Sequence, residues 1–556
     1  MNLPEPQSVT FTSLFAEIEN GTIKIPQFQR DFVWSKAKSA KLLDSIVKGY
    51  PIGTFILWKT NERLRSIRNL GGVFLPETPK GDAVKYVLDG QQRLTSLFVT
   101  LKGLTINREE HQEDFSQFWV DLTVEEREEI ILMEAEGRDE NKIIQLKDLL
   151  SGDFAYLASF PKELQEKIRT YKNRIESYQF SAILMKDAPI DVATEVFTRL
   201  NVGGEPLSVF EIMVAKTYDS EENFDLAEKF NALITELQTV DYETLSSAAV
   251  LQTVSVLIRK DCRKRDILNL QKHEVIKIWP KAVDAIQASV DYFRNYYRIP
   301  VSRLLPYPGL IIPFSYFFYK HPDKPTGDRQ KFLQDFFWRV SLGGRYSQSL
   351  ETRVAQDIGR IDQILKAKLP IYDWAVDVSP EFIEKNGYFS TSRSFVKAIL
   401  CVLAHKEPKS FVDNSIVRLD NAFLKQANSK NYHHFFPKSW LEKQGVNFDR
   451  ANHVANIALV DDFLNKRLIR AQSPKTYMKQ FISDNPDIDK CLWTHLIKLN
   501  GGFGVMKDDY DLFFGARCKA ISRELGKRII PQEVDQVGTA KSAEDTVVEQ
   551  EEWLAS

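Results

Sequence analysis

Lys85-Tyr-Val-Leu-Asp-Gly-Gln-Gln-Arg-Leu-Thr-Ser-Leu-Phe98 decides how the N-terminal part of this chain is read. Lys85 to Leu88 is a strand-type run, and Leu94, Leu97, Phe98 and Leu101 then keep a helical period. The polar cluster Asp89-Gly90-Gln91-Gln92-Arg93 therefore falls at a strand-to-helix turn. Gly90 lets the backbone turn tightly, and the first amides of the new helix, lacking intrahelical partners, form an anion site. Arg93 could add a two-pronged contact to a phosphate. Asp89 would repel a phosphate directly, so it is expected to act through a divalent cation or to position a water, and either role suits nucleotide hydrolysis. The plainer alternative is that Asp89 only caps the helix while Gln91, Gln92 and Arg93 are solvated first-turn residues.

Working outward, Ser35 to Gly49 reads as a helix capped by Ser35 and ended by Gly49, with Leu42, Leu43, Ile46 and Val47 on one face. Thr54 to Trp58 comes next as a buried strand. Residues 1–215 thus mix short strands and helices. Residues 216–400 show mostly helical periods, as in Asn223–Leu237 and Arg329–Val340, and are expected to form a helical connector. Residues 401–532 mix aromatic, polar and asparagine-bearing segments, and 533–556 read as an acidic, disordered tail. The expected class is α+β, multidomain.

Composition narrows the choices further. With 556 residues, 43% hydrophobic and 12% aromatic, the chain can bury two or three cores. A net charge of -2 neither requires nor excludes a nucleic-acid partner, because a local basic face can exist on a balanced whole. Cys262, Cys401, Cys491 and Cys518 are too far apart for a zinc ribbon and are read as reduced and buried. The most hydrophobic stretch, Leu304–Tyr319, contains three prolines in 16 residues and is shorter than the ~20 residues a bilayer span needs. No secretory signal pattern opens the chain, so a cytoplasmic protein without membrane contact is expected.

A second constellation lies near the C-terminus. Tyr432-His433-His434-Phe-Phe-Pro437 is followed by Asn456-Ile-Ala-Leu-Val460 and Asn465-Lys466, with 22 residues from His434 to Asn456 and 9 from Asn456 to Asn465. An HNH, or ββα-metal, site has this order: a His pair on a strand, a loop asparagine, and a His or Asn on a closing helix. Hydrolysis of a phosphodiester needs a deprotonated water and neutralised phosphate oxygens. His434 is the candidate base, since an imidazole accepts protons near neutrality. His433, on the opposite strand face, is the candidate metal ligand together with Asn465. Asn456 is expected to orient the base through its loop backbone, and Lys466 to contact a phosphate of DNA. Asp461, Asp462 and His453 are alternative metal ligands. The plainer alternative is a half-buried, hydrogen-bonded His pair without chemistry.

IPQFQRDFVW (25–34), VLDGQQRLTSL (87–97) and FTRLNVGGEPLS (197–208) resemble, in that order, the N-terminal domain of GmrSD-type restriction proteins. That resemblance implies a fold similar to the ParB and sulfiredoxin group. It also implies a nucleotide pocket lined by Gln29, Arg30, Asp89, Gly90, Gln91, Gln92 and Arg93, with Asn201, Gly203 and Gly204 as a third matching segment. The stretch Asn431–Met478 resembles the HNH nuclease domain that accompanies it in GmrSD-type and SspE-like proteins. The function that this resemblance implies is an NTP-regulated, metal-dependent endonuclease (GTP or ATP; Mg²⁺, Mn²⁺ or Ni²⁺) that restricts modified phage DNA, with homo-oligomerisation an open option. The alternatives are a ParB-like DNA-binding or regulatory protein, or an NTPase, with an inactive HNH segment.

Overall fold

A computed structural model describes residues 3–26, 32, 34–64, 66, 69–70, 73–107, 112–125, 127–200, 208–219, 221–419, 432–460, 469, 471–500 and 502–537. The chain divides into two compact units, one built on residues 1–226 and the other on residues 227–553. Both are mixed in secondary structure, the second far more helical than the first.

The first unit is built on a five-stranded sheet in the order Glu5–Thr10, Gln179–Lys186, Phe55–Thr60, Val84–Asp89, Ile23–Lys24. Gln179–Lys186 runs parallel to Phe55–Thr60 and Val84–Asp89 parallel to Ile23–Lys24, while the other two pairings are antiparallel. Val84, Tyr86, Val87 and Leu88 are all buried, so this strand is covered on both faces. That is why its sequence is nearly continuously apolar rather than alternating. Four helices, Phe11–Glu19, Lys36–Val47, Gln91–Lys102 and Lys162–Glu176, close one core with it through Phe15, Leu43, Phe98 and Tyr171 against Phe55, Val87 and Phe180. Lys36–Val47 is capped by the Ser35 side chain on Lys38 N, as the sequence implies. A smaller three-stranded sheet is centred on Trp119–Asp121.

The second unit is a stack of helices, including Ser247–Arg259, Lys272–Asn295, Ile311–Lys320, Gly327–Leu342, Leu350–Leu365, Ser394–His405 and Tyr510–Gly526. Its core is aromatic: the ring of Tyr297 stacks on Phe337 at 4.2 Å, and Phe293 meets Phe314 at 4.8 Å. Residues 304–319 take in the end of one 3-10 turn, the whole of a second and most of one buried helix, which explains their apolarity. Among the described residues, no helix is long and apolar enough to cross a membrane. All four cysteines are buried and free of disulfides.

Two expected boundaries are corrected. No unit boundary falls at residue 400, because the segment around 380–405 supports the hairpin region after it: Phe389 N donates to Asn452 O (2.9 Å), and His453 Nε2 to Ile383 O (3.1 Å). A helical period alone cannot reveal that a helix packs against a later segment. The disordered tail expected from 533 also begins too early. Residues Glu533–Val537 are helical, and the Asp535 carboxylate grips the buried Arg339 guanidinium at 2.6 and 2.9 Å while accepting from Val376 N and Gln532 N. An acidic residue that reads as solvated in sequence is here the counter-ion of a buried cation.

Candidate functional site

Gly90 follows the strand Val84–Asp89 and starts the helix Gln91–Lys102 with φ +90°, and it offers no side-chain cap. A Cβ at this position would lie 2.5 Å from the Phe55 ring, so only glycine fits. The alternative in which Asp89 caps the helix is therefore not the arrangement seen. Instead, the Asp89 carboxylate receives Arg93 Nη2 at 3.2 Å.

Arg93 departs from expectation. Its guanidinium donates to Ile52 O (2.8 Å) and Thr54 O (2.9 Å) as well as to Asp89, and it lies over the Phe55 ring at 5.4 Å. Gly53 allows this approach, since a Cβ there would meet Nη1 at 2.3 Å. The fork that was to reach a phosphate thus braces the turn against the entry of the neighbouring strand. Gln91 is buried and Gln92 half-buried beside it. The other residues expected in this pocket, Gln29, Arg30, Asn201, Gly203 and Gly204, lie outside the described residues. Downstream, Ser208 and Glu211 form a reciprocal cap: Ser208 Oγ accepts from Glu211 N, and Glu211 Oε2 accepts from Ser208 N.

In the second unit, Tyr432–His434 pairs antiparallel with Ile457–Leu459, setting His433 opposite Ala458 and His434 opposite Ile457. The 22 residues from His434 to Asn456 would leave the pair free to splay if nothing bound the loop. Asn456 binds it. Fully buried, its Nδ2 donates to Phe436 O (2.9 Å) and Ala451 O (3.0 Å), and its Oδ1 accepts from Phe436 N (2.9 Å). Phe435 N also donates to Asn456 O (2.8 Å). Tyr477 and Arg517 hold the pair from outside the loop, through Phe435 O (2.6 Å) and Ile457 O (2.8 Å). Asn456 is out of reach of any substrate, and its contacts act on the loop alone.

Successive strand residues face opposite sides, so the two histidines have different surroundings. His433 is 3% exposed. His434 is only partly covered; its Nε2 meets Asn452 Oδ1 at 2.9 Å, and its ring stands edge-on to Phe389. Burial pushes its pKa down to about 4, opposed by the Asn452 bond and aided by Lys438. The ring is thus neutral at physiological pH, with a lone pair to accept a proton but with its basicity lowered by burial. Asn452 was not among the residues picked out from sequence; only its position four residues before Asn456 could have drawn attention to it.

His453, an alternative metal ligand on sequence grounds, is excluded by its bonds. Its Nε2 donates to Ile383 O and its Nδ1 accepts from Ala455 N at 3.0 Å, leaving neither nitrogen for a metal. Asn465, Lys466, Asp461 and Asp462 lie outside the described residues. Among the described residues, no group of three His, Cys, Asp or Glu side chains converges as a metal cluster would. The imidazole of His433 is a suitable donor for a borderline divalent ion, but by itself it is only part of a coordination sphere.

Residues 11–218 match the family model of the GmrSD restriction endonuclease N-terminal domain. The matched span takes in the Asp89–Arg93 turn and the Ser208 cap, and it ends before the first unit does. The chain is also 23% identical over 514 residues to an uncharacterized protein of Methanocaldococcus jannaschii, covering 83% of this chain and 85% of that protein. That similarity therefore spans both units, including the helical stretch between the two constellations.

Proposed function

We propose that this chain is a metal-dependent DNA endonuclease whose cutting site is the Tyr432–Leu459 hairpin and whose first unit handles a nucleoside triphosphate that regulates cutting. The observation that carries the reading is the hairpin itself. A neutral imidazole, His434, is held on a strand pair whose loop is locked by a fully satisfied Asn456. Support for restriction as the setting comes from the match of residues 11–218 to a restriction endonuclease domain.

In this reading His434 removes a proton from the attacking water as its oxygen bonds to phosphorus, and the departing 3′ oxygen is protonated by solvent. His433 and Asn465 would hold the divalent ion, which when bound neutralises charge on the phosphate oxygens. Lys466 would contact a flanking phosphate. The substrate is modified phage DNA, met in the cytoplasm. Asp89 and the first-turn amides at Gln91 and Gln92 would face the nucleotide, with Arg93 holding the turn in shape.

The test is a plasmid-cleavage panel with Mg²⁺, Mn²⁺ or Ni²⁺, comparing unmodified, hydroxymethylated, glucosylated and phosphorothioated DNA, with and without GTP or ATP. Cutting that requires metal and disappears in His434→Ala is the expected result. Full cutting by His434→Ala would remove the assigned base.

The commitment of Arg93 to two backbone carbonyls favours a second reading of the first unit, as a nucleotide binder without turnover. NTP that binds wild type but not Asp89→Ala, with no release of phosphate from either, would single out that reading.

A further inference from the structure

The endonuclease reading says that His434 takes a proton but not with which nitrogen, and a ring that presents the wrong nitrogen is no base. Neutral imidazole has one N–H and one lone pair, and the neighbour that binds one nitrogen decides what the other can do. At His434 that neighbour is Asn452. Its amide orientation is set by its other bond: Nδ2 donates to Phe389 O at 3.3 Å, and a carbonyl oxygen can only accept. Oδ1 is therefore the atom facing the ring, and since it too can only accept, Nε2 at 2.9 Å must carry the proton. His434 Nδ1 makes no hydrogen bond among the described residues.

Asn452 is itself tightly placed. It is 8% exposed, its N donates to Phe448 O (2.7 Å), and its O accepts from Phe389 N (2.9 Å). Phe389 is thus bonded to Asn452 through both its amide and its carbonyl, and its ring stands edge-on to both Tyr432 and His434. Resting on the endonuclease reading, we infer that Asn452 is a positioning residue that keeps His434 in the Nε2–H tautomer and thereby presents Nδ1 to the water. Asn456 and Asn452 divide the work: one fixes the loop, the other the ring.

The experiment uses the full chain labelled with ¹⁵N-histidine, with long-range proton–nitrogen spectra recorded at pH 8 and His434 assigned by difference against His434→Gln. Wild type is expected to show a pyrrole-like Nε2 and a pyridine-like Nδ1. Asn452→Ala is expected to move the two nitrogen shifts toward each other as the tautomers mix, while the isosteric Asn452→Asp, which still accepts from Nε2–H, keeps them apart. In plasmid cleavage with Mn²⁺, Asn452→Ala should lose about 10- to 100-fold, the scale of a misplaced reacting group, with Asn452→Asp recovering most of it. A wild-type Nδ1–H pattern, or an Asn452→Ala spectrum identical to wild type, overturns the inference. If the spectra come out as expected while wild type leaves every plasmid intact with every metal, it is the endonuclease reading that fails, and the proton's location on Nε2 stands.

Discussion

The turn at Asp89–Arg93 and the hairpin at Tyr432–Leu459 solve opposite problems with similar residue types. In the first, a charged side chain is consumed by structure: Arg93 is bonded to two carbonyls and its neighbouring carboxylate. In the second, uncharged amides do the structural work. Asn456 satisfies three backbone groups and Asn452 one ring and one carbonyl, so that an imidazole is left with a nitrogen to use. The contrast teaches that a polar motif residue is functional in proportion to the hydrogen-bonding capacity left after the fold has taken its share.

The largest expected effect would break the comparison outright. His434→Ala should lower plasmid cutting by ~10²–10⁴-fold, whereas His453→Ala should alter folding and leave cutting per folded molecule intact, because both of its ring nitrogens are already bonded inside the protein. Initial rates normalised to folded protein decide between them. If the two variants lose cutting equally, the distinction between a working and a structural histidine is wrong.

Next comes Asn456→Ala, which would leave Phe436 N, Phe436 O and Ala451 O buried without their partner. The cost should be about 3 kcal/mol or more, read as a lower urea midpoint for the unit that begins at residue 227.

Gly90→Ala and Arg93→Ala test the other side. The first forces a Cβ into the Phe55 ring at a positive φ, and the second strips Ile52 O and Thr54 O of their donor. Each should cost about 1–3 kcal/mol in the first unit, measured by denaturation. An Arg93→Ala protein that is fully stable yet cannot bind NTP would return Arg93 to the nucleotide and erase the contrast.

The smallest effect is one of pH. Burial pushes His453 and His495 down to about 4, against an unfolded value of ~6.5. Between those values the unfolded chain binds protons that the folded chain does not, so stability rises with pH through this window and is lost as pH falls from ~6.5 towards ~4. Melting curves should shift down by several degrees in this interval, and less so in His495→Gln. A melting temperature that is flat from pH 7 to pH 5 would show these rings to be more accessible than their burial implies.

Local chemistry was legible from the residues alone. Ser35 as a cap, the helix after Gly90 and the buried stretch at 304–319 all arise from short-range patterns, because caps, turns and periods act within a few residues. That His433 and His434 sit on a strand was implied by the order of the motif, whereas the pairing of that strand with Ile457–Leu459 was not. What only the tertiary structure decided is which partner each polar group takes. Arg93 meets carbonyls 39 and 41 residues upstream, Asn452 meets one 63 residues away, and Asp535 meets an arginine 196 residues away. Residue type states what a side chain is able to bond, but the partner depends on which distant backbone the packed core brings within about 3 Å, and no short-range pattern encodes that distance.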